Sequence, residues 1–320
     1  MNKIIAIVGS TASGKSSFAL EFAHELKGQI INADSKQVFK FMDIGTGKPS
    51  STDRGIVKHH LYNIVDPDED FSLGTYLELA RSEISMLLNN GILPIIVGGT
   101  AQYLWALIEG WNIPKVKPNP SIRKALTAEA ASLGSEALHD RLEQIDPRAA
   151  GNIHPRNLRR IIRALEVIEE TGSLFSDLRQ KKDPTWKTDV FGMGISRSTL
   201  VKRIQNRVHN QLSEGWIEEV SELLKMGYDK NLPSFSALGY REVIAYLQGD
   251  LSLTETEKEI TRLTTKFSNK QYGWFRLKDP RINWINTEVK DYNILAKEIA
   301  NNYREPKIIS QTETDLKRER

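Results

Sequence analysis

The chain has 320 residues, 39% hydrophobic and 27% charged, proportions of a folded protein with room for one large or two modest cores. Its 44 basic and 41 acidic residues leave a formal charge of only +3, so the distribution of charge says more about partners than the sum does. No cysteine is present, which excludes disulfides and thiolate metal sites; no apolar run approaches the ~20 residues of a membrane span, and no secretory signal is evident, so a cytoplasmic protein is expected.

The first stretch organises the rest. Ile4-Ile5-Ala6-Ile7-Val8 is an unbroken apolar run, the pattern of a parallel strand buried on both faces. It empties into Gly9-Ser10-Thr11-Ala12-Ser13-Gly14-Lys15-Ser16, the full P-loop spacing. Phe18, Ala19, Phe22, Ala23 and Leu26 then recur at helical spacing, so the loop opens a helix N-terminus. Glycines let backbone N–H groups converge on phosphate oxygens, the helix dipole adds positive potential, Lys15 supplies a point charge, and the Ser16 hydroxyl can reach magnesium. A di- or triphosphate ligand is expected.

A second strand over 29–33 ends in Asp34-Ser35-Lys36-Gln37. Sites in open α/β sheets form at the carboxyl ends of strands, which marks Asp34 for work beside the phosphates; a helix cap is its bland alternative. Met42 to Pro49 reads as a loop over the site. His59 and His60, adjacent on a strand, point to opposite faces and cannot chelate one metal together; satisfied or substrate-facing roles are expected. Asp66 reads either as a weak metal-side aspartate or as part of a plain turn. A helix over 72–90 and a buried strand over 92–97 follow, the strand ending in Gly98-Gly99-Thr100. The strand–helix alternation specifies a P-loop NTPase-like parallel-sheet core over 1–114.

Pro114, Pro118 and Pro120 mark a boundary, and 115–188 reads as a helical insertion domain. Within it Arg156, Arg159, Arg160 and Arg163 fall at i, i+3, i+4 and i+7, stacking four like charges on one helix face and suggesting an anionic partner. A returning strand near 189–195 opens the rest of the core, 189–304, expected to be mainly helical. There a helix from Thr256 carries Arg262, Lys266 and Lys270 with Phe267 and Trp274 interleaved, a pattern suited to splayed nucleic acid unless the aromatics are core. The polar stretch 305–320 is expected to be disordered.

A P-loop alone does not choose its chemistry. A GTPase would need a base-reading Asn-Lys-x-Asp, and a motor ATPase an apolar strand ending in Asp-Glu; neither is present, while a small-molecule kinase using ATP, with Asp34 holding the acceptor, stays open. Motifs in register from 4 to 285 resemble the bacterial tRNA dimethylallyltransferases: Gly9 to Ser16, Ala33-Asp34-Ser35, Met42-Asp43-Ile44-Gly45-Thr46, His59-His60-Leu61, Val97-Gly98-Gly99-Thr100, Ile153-His154-Pro155 with Arg163-Ala164-Leu165-Glu166-Val167, Gly239-Tyr240-Arg241, and Lys270-Gln271 with Trp274-Phe275-Arg276.

The resemblance implies dimethylallyl diphosphate and the anticodon stem-loop of a tRNA as partners, no membrane, a chain acting as a monomer, and Mg2+ near Ser16. It makes Asp34 the general base, with Thr100 and Lys15 beside it, and the backbone of Gly9 to Ser16 the diphosphate cradle. Contacts to tRNA map onto Asp34, Ser35, Lys36, Gln37, Thr100, Arg123, Arg159, Arg160, Ile161, Ile162, Arg163, Ser236, Gly239, Tyr240, Arg241, Lys270, Gln271, Trp274 and Arg276. Two departures stand out: Ser10 replaces the usual proline of the loop, and Asn269-Lys270 replaces a Lys-Arg pair, losing a guanidinium for phosphate contact.

Overall fold

The computed structural model describes residues 3–114, 116–178, 186–288 and 291–304. The stretch 305–320 lies outside them. The described residues form two compact units, one drawn from 3–71, 79–104, 186–288 and 291–304, the other from 72–78, 105–114 and 116–178. The division falls ten residues before the position at which the prolines place the end of the first segment.

In chain order the elements are β1 (Lys3–Val8), α1 (Lys15–Leu26), β2 (Gln29–Asn32), α2 (Ser51–Ile56), β3 (His59–His60), α3 (Leu73–Asn89), β4 (Pro94–Val97) and α4 (Ala101–Ile108). Next come α5 (Pro120–Leu133), α6 (Ser135–Ile145), α7 (Pro147–Ala150), α8 (Leu158–Thr171) and α9 (Phe175–Leu178). The chain then supplies β5 (Lys187–Gly194), α10 (Arg197–Ser213), α11 (Trp216–Lys225), α12 (Tyr240–Leu247), α13 (Leu253–Trp274), β6 (Ile282–Asn286) and α14 (Tyr292–Arg304).

The first unit is built on a six-stranded sheet of order β3-β2-β4-β1-β5-β6, parallel at every pairing. Ile5 lies opposite Ile95 on one side and Asp189 on the other, so β1 is central and its apolar run is buried as the pattern requires. All strands therefore end at the same edge, the one that carries the P-loop, Asp34 and Thr100. Phe18, Ala19, Phe22 and Ala23 of α1 pack with Ile5, Ile7, Ile285, Ala296 and Ala300 in one apolar cluster, which brings α14 alongside α1. A second cluster of the same unit joins Trp216 of α11, Tyr240 of α12, Ile260 of α13 and Phe235 from the 3-10 turn Pro233–Ser236 to Val38, Phe39 and Met42.

The second unit is helical. Leu126, Leu138, Leu142, Ile161, Ile162 and Leu165 form its core. Asn119 caps α5 by accepting from the Ser121 and Ile122 N–H groups, and Pro120 occupies the first helical position, where its missing donor costs nothing.

Three elements of the first unit escape the sequence pattern. α2 has no buried residue and is held by a reciprocal Ser50/Asp53 capping box. β6 and α14 turn a supposedly helical C-terminal segment into a sixth strand and its covering helix.

Candidate active site

The site is assembled where β1, β2 and β4 end. Gly14, at φ 91°, is the N-cap of α1, a left-handed backbone that glycine adopts without a Cβ penalty. The Lys15 ammonium donates to the Ser10 carbonyl at 2.7 Å, closing the loop on itself. Burial pushes the Lys15 pKa down to about 8, against the attraction of Asp34 and with the repulsion of Arg207. Ser13 is fully buried and its hydroxyl has no hydrogen-bond partner among the described residues, and Ser16 is exposed at the first turn of α1. A buried unmatched hydroxyl and a buried ammonium at the positive end of the α1 dipole suit an anion.

Asn32 shapes the next edge. Its Oδ1 accepts from the Asp34 N–H at 2.8 Å, and its Nδ2 donates to the carbonyls of Asp34 and Leu61. Asp34 Oδ1 accepts from the Lys36 N–H at 2.9 Å, which fixes the carboxylate as an Asx turn and leaves Oδ2 without a hydrogen-bond partner among the described residues. Thr100 Oγ1 accepts from the Ser35 N–H at 3.0 Å and donates to the Ser35 hydroxyl at 3.3 Å. Gly98 must be glycine, because a Cβ there would stand 2.2 Å from the Ala33 carbonyl oxygen.

Gln271 of α13 binds this edge together. Its Oε1 accepts from the Thr11 N–H at 2.8 Å and its Nε2 donates to the Gly99 carbonyl at 2.9 Å, with the residue buried. The 42–48 loop is held from below by Glu219 of α11, whose carboxylate accepts from the N–H groups of Asp43, Ile44 and Gly45 and from the Tyr240 hydroxyl at 2.7 Å. Gln37 Nε2 and Arg207 Nη2 both reach the Thr46 carbonyl above it. The Asp34 carboxylate favours the charged forms of both Lys15 and Arg207, so a guanidinium and an ammonium lie within its electrostatic reach.

Family membership follows from comparison. The model of the IPP transferase family matches residues 37–278. The chain belongs to that family. It is 46% identical to the tRNA dimethylallyltransferase of Roseiflexus sp. (strain RS-1) over 276 residues, 86% of this chain and 90% of that one. The crystal structure of the full-length tRNA isopentenylpyrophosphate transferase of Bacillus halodurans superposes with a TM-score of 0.69 at 36% identity, covering 95% of this chain and 96% of that one. A eukaryotic dimethylallyltransferase acting on tRNA shares the fold, with a TM-score of 0.78 at 24% identity over 97% of this chain and 81% of that one.

The structure sorts the residues singled out for tRNA contact into two groups. Arg159, Arg160, Arg241, Lys270, Trp274 and Arg276 are exposed. Phe267 is exposed as well, at 39%, and Trp274 at 47%, so neither of these two aromatics belongs to the core. The other group is already engaged within the protein. Ile161 and Ile162 are core residues of the helical unit, and Tyr240 is fully buried, so their side chains are packed within the protein. Gly239 serves packing: its Cβ would fall 2.0 Å from the Trp216 ring. The Lys36 ammonium donates to the Pro233 carbonyl and the Ser236 hydroxyl, and Gln271 is the bridge described above.

The arginine face is also revised. Arg156 stands in the turn before α8 and does not belong to the helix. Arg163 and Arg123 both bind the fully buried Glu166 carboxylate, at 2.6 and 2.7 Å, and the Asn119 N–H donates to it too. Burial alone would raise the Glu166 pKa; these donors outweigh it and hold the carboxyl below its ordinary value. Two of the expected anion contacts thus neutralise a buried acid. Both histidines are satisfied: His60 lies between Glu83 and Gln29, and His59 meets the Val57 carbonyl. Asp66 pairs with Lys40 in a plain turn.

Sequence reasoning passed over Arg203, Arg207 and Glu219. The two arginines stand at i and i+4 on α10, a signal hidden by the exposed basic residues around them.

Proposed function

We propose that this chain transfers the dimethylallyl group of dimethylallyl diphosphate to the exocyclic N6 amine of the adenosine immediately 3′ of the anticodon in tRNA, releasing diphosphate. The observation that carries the reading is Asp34, a carboxylate with one oxygen anchored and one open, coupled to Lys15 and Arg207 at the mouth of a P-loop. In the reaction the adenine nitrogen attacks C1 of the dimethylallyl group as the C1–O bond breaks, and the amine proton passes to the Asp34 carboxylate. Negative charge builds on the departing diphosphate, where the α1 N-terminus, Lys15 and Arg207 stabilise it. An exocyclic amine is a weak nucleophile until its proton has an acceptor, which is the work of Asp34. The adenine leaves its stack to reach the site, as in other enzymes that modify bases.

Magnesium fits this donor set. The Ser16 hydroxyl is exposed at the first turn of α1, and a hard cation that keeps several waters needs few protein oxygens beside those of a diphosphate. Ser16 would hold it, and it would neutralise charge on the leaving group. Exposed Arg159 and Arg160 on α8, and Lys270, Trp274 and Arg276 at the end of α13, are the side chains free to meet RNA phosphates and bases. A small-molecule kinase using ATP would share the P-loop and Asp34, but it draws no support from the relatives.

The test is Asp34→Ala. Turnover should vanish while tRNA affinity stays within a few-fold; a large loss of RNA binding would make Asp34 a recognition residue and remove the proposed base.

A further inference from the structure

One side chain at the phosphate end of α1 comes from far along the chain. Tyr292 begins α14, and a Cβ built on Gly14 would lie only 2.1 Å from the Tyr292 hydroxyl oxygen, so the phenol rests against the N-cap of α1. Arg203 of α10 holds it there. One guanidinium nitrogen donates to the phenol oxygen, the other donates to the Thr287 carbonyl at 3.3 Å, and the guanidinium carbon lies 5.6 Å from the ring centroid. With its oxygen occupied by Arg203, the phenol still has a proton to give, and no acceptor for it is found among the described residues. In the P-loop, the fully buried Ser13 hydroxyl also lacks a hydrogen-bond partner among the described residues. The phenol thus meets the P-loop at the N-terminus of α1, and Arg203, which holds it, stands one helical turn along α10 from Arg207.

We propose that Tyr292 is a diphosphate-contact residue, donating its phenol proton to a phosphate oxygen of the prenyl donor, and that Arg203 is the positioning residue that aims it. This rests on the reading of the P-loop as a diphosphate cradle, and it assigns α14 a part in the donor site in addition to its packing on α1. A neutral hydroxyl suits the place. It grips an oxyanion by a charge-assisted hydrogen bond without adding a further cation, so diphosphate is held but still leaves after transfer.

The experiment is calorimetric titration of inorganic diphosphate, with magnesium, into wild type, Tyr292→Phe, Arg203→Lys and the double variant, beside steady-state kinetics. Phenylalanine keeps the ring in the apolar cluster, so an unchanged thermal midpoint is the folding control. Tyr292→Phe should weaken diphosphate binding about tenfold, the usual loss for one hydrogen bond to a charged group. It should raise KM for dimethylallyl diphosphate by a similar factor and leave KM for RNA alone. Arg203→Lys should lose part of that affinity, and nothing further once residue 292 is phenylalanine. Unchanged diphosphate affinity in Tyr292→Phe would overturn the assignment while leaving the cradle standing. Tighter binding would overturn it by showing the phenol to be a plug, and additive losses would overturn the positioning role of Arg203. A wild type that binds no diphosphate would sink the cradle and this inference together.

Discussion

Replacing Glu166 with glutamine should damage the helical unit more than any other change of a single charge there. The carboxylate is fully buried and receives two guanidiniums and a backbone N–H, from Arg123, Arg163 and Asn119. Breaking a buried ion pair from one side costs about 3–5 kcal/mol, because the charge left behind has no counterion. Here the orphaned guanidiniums keep partial access to water, with side-chain exposures of 43% for Arg123 and 28% for Arg163, so solvent screening lowers the expectation to about 2–3 kcal/mol. Native-state hydrogen exchange at α8 amides such as Leu165 reads this directly, since it reports opening of that helix without requiring both units to unfold together. The sign with pH follows from the depressed pKa. The contribution is fully present above the unfolded carboxyl value of 4.5 and is lost as pH falls through the lower folded value. The gap between wild type and Glu166→Gln should therefore be widest near neutrality and shrink below pH 4.5. A loss under about 0.5 kcal/mol at pH 7, or a gap that ignores acid, would refute the triad as the support of this unit.

Other expectations concern the core. Because burial lowers the Lys15 pKa to about 8, the free enzyme loses its ammonium above that pH; KM for the prenyl donor should rise from pH 8 to 9.5, and a flat profile would contradict the shift. Gln271→Glu keeps an acceptor for the Thr11 N–H but loses the donor to Gly99 and adds negative charge at the loop, so KM for dimethylallyl diphosphate should rise about tenfold; an unchanged KM would place Gln271 outside the cradle. Arg160→Ala should weaken tRNA binding and reduce the salt-dependence slope by about one unit, whereas Arg163→Ala should act mainly on stability. Equal slopes for wild type and Arg160→Ala would remove that arginine from the phosphate contacts.

The core of the fold is legible because parallel strands buried on both faces leave continuous apolar runs. Ile4 to Val8 and Ile95 to Val97 could be little else. β6 hides for the opposite reason. It is an edge strand in which Ile282 and Ile285, on opposite faces, are buried while Asn283 stays exposed, a pattern without clean alternation and too short to separate from the helices around it. The P-loop, Asp34 and Thr100 declare themselves by spacing and by their place at strand ends. What the sequence conceals is engagement. Arg123 and Arg163 look like free cations until the fold delivers Glu166 to them, and the Tyr240 hydroxyl looks available until Glu219 receives it. Contacts between residues that are distant along the chain carry no local signature. Arg203 and Tyr292, 89 residues apart, meet only because α10 and α14 converge on the P-loop.

The most direct test mixes the protein with magnesium, labelled dimethylallyl diphosphate and an unmodified anticodon stem-loop carrying adenosine 3′ of the anticodon, with parallel reactions that omit RNA or supply ATP in place of the prenyl donor. Label on N6 of that adenosine, only when the intact loop is present, is the predicted result. No transfer, with ATP consumed and a small acceptor phosphorylated, would contradict the account and establish the kinase reading in its place.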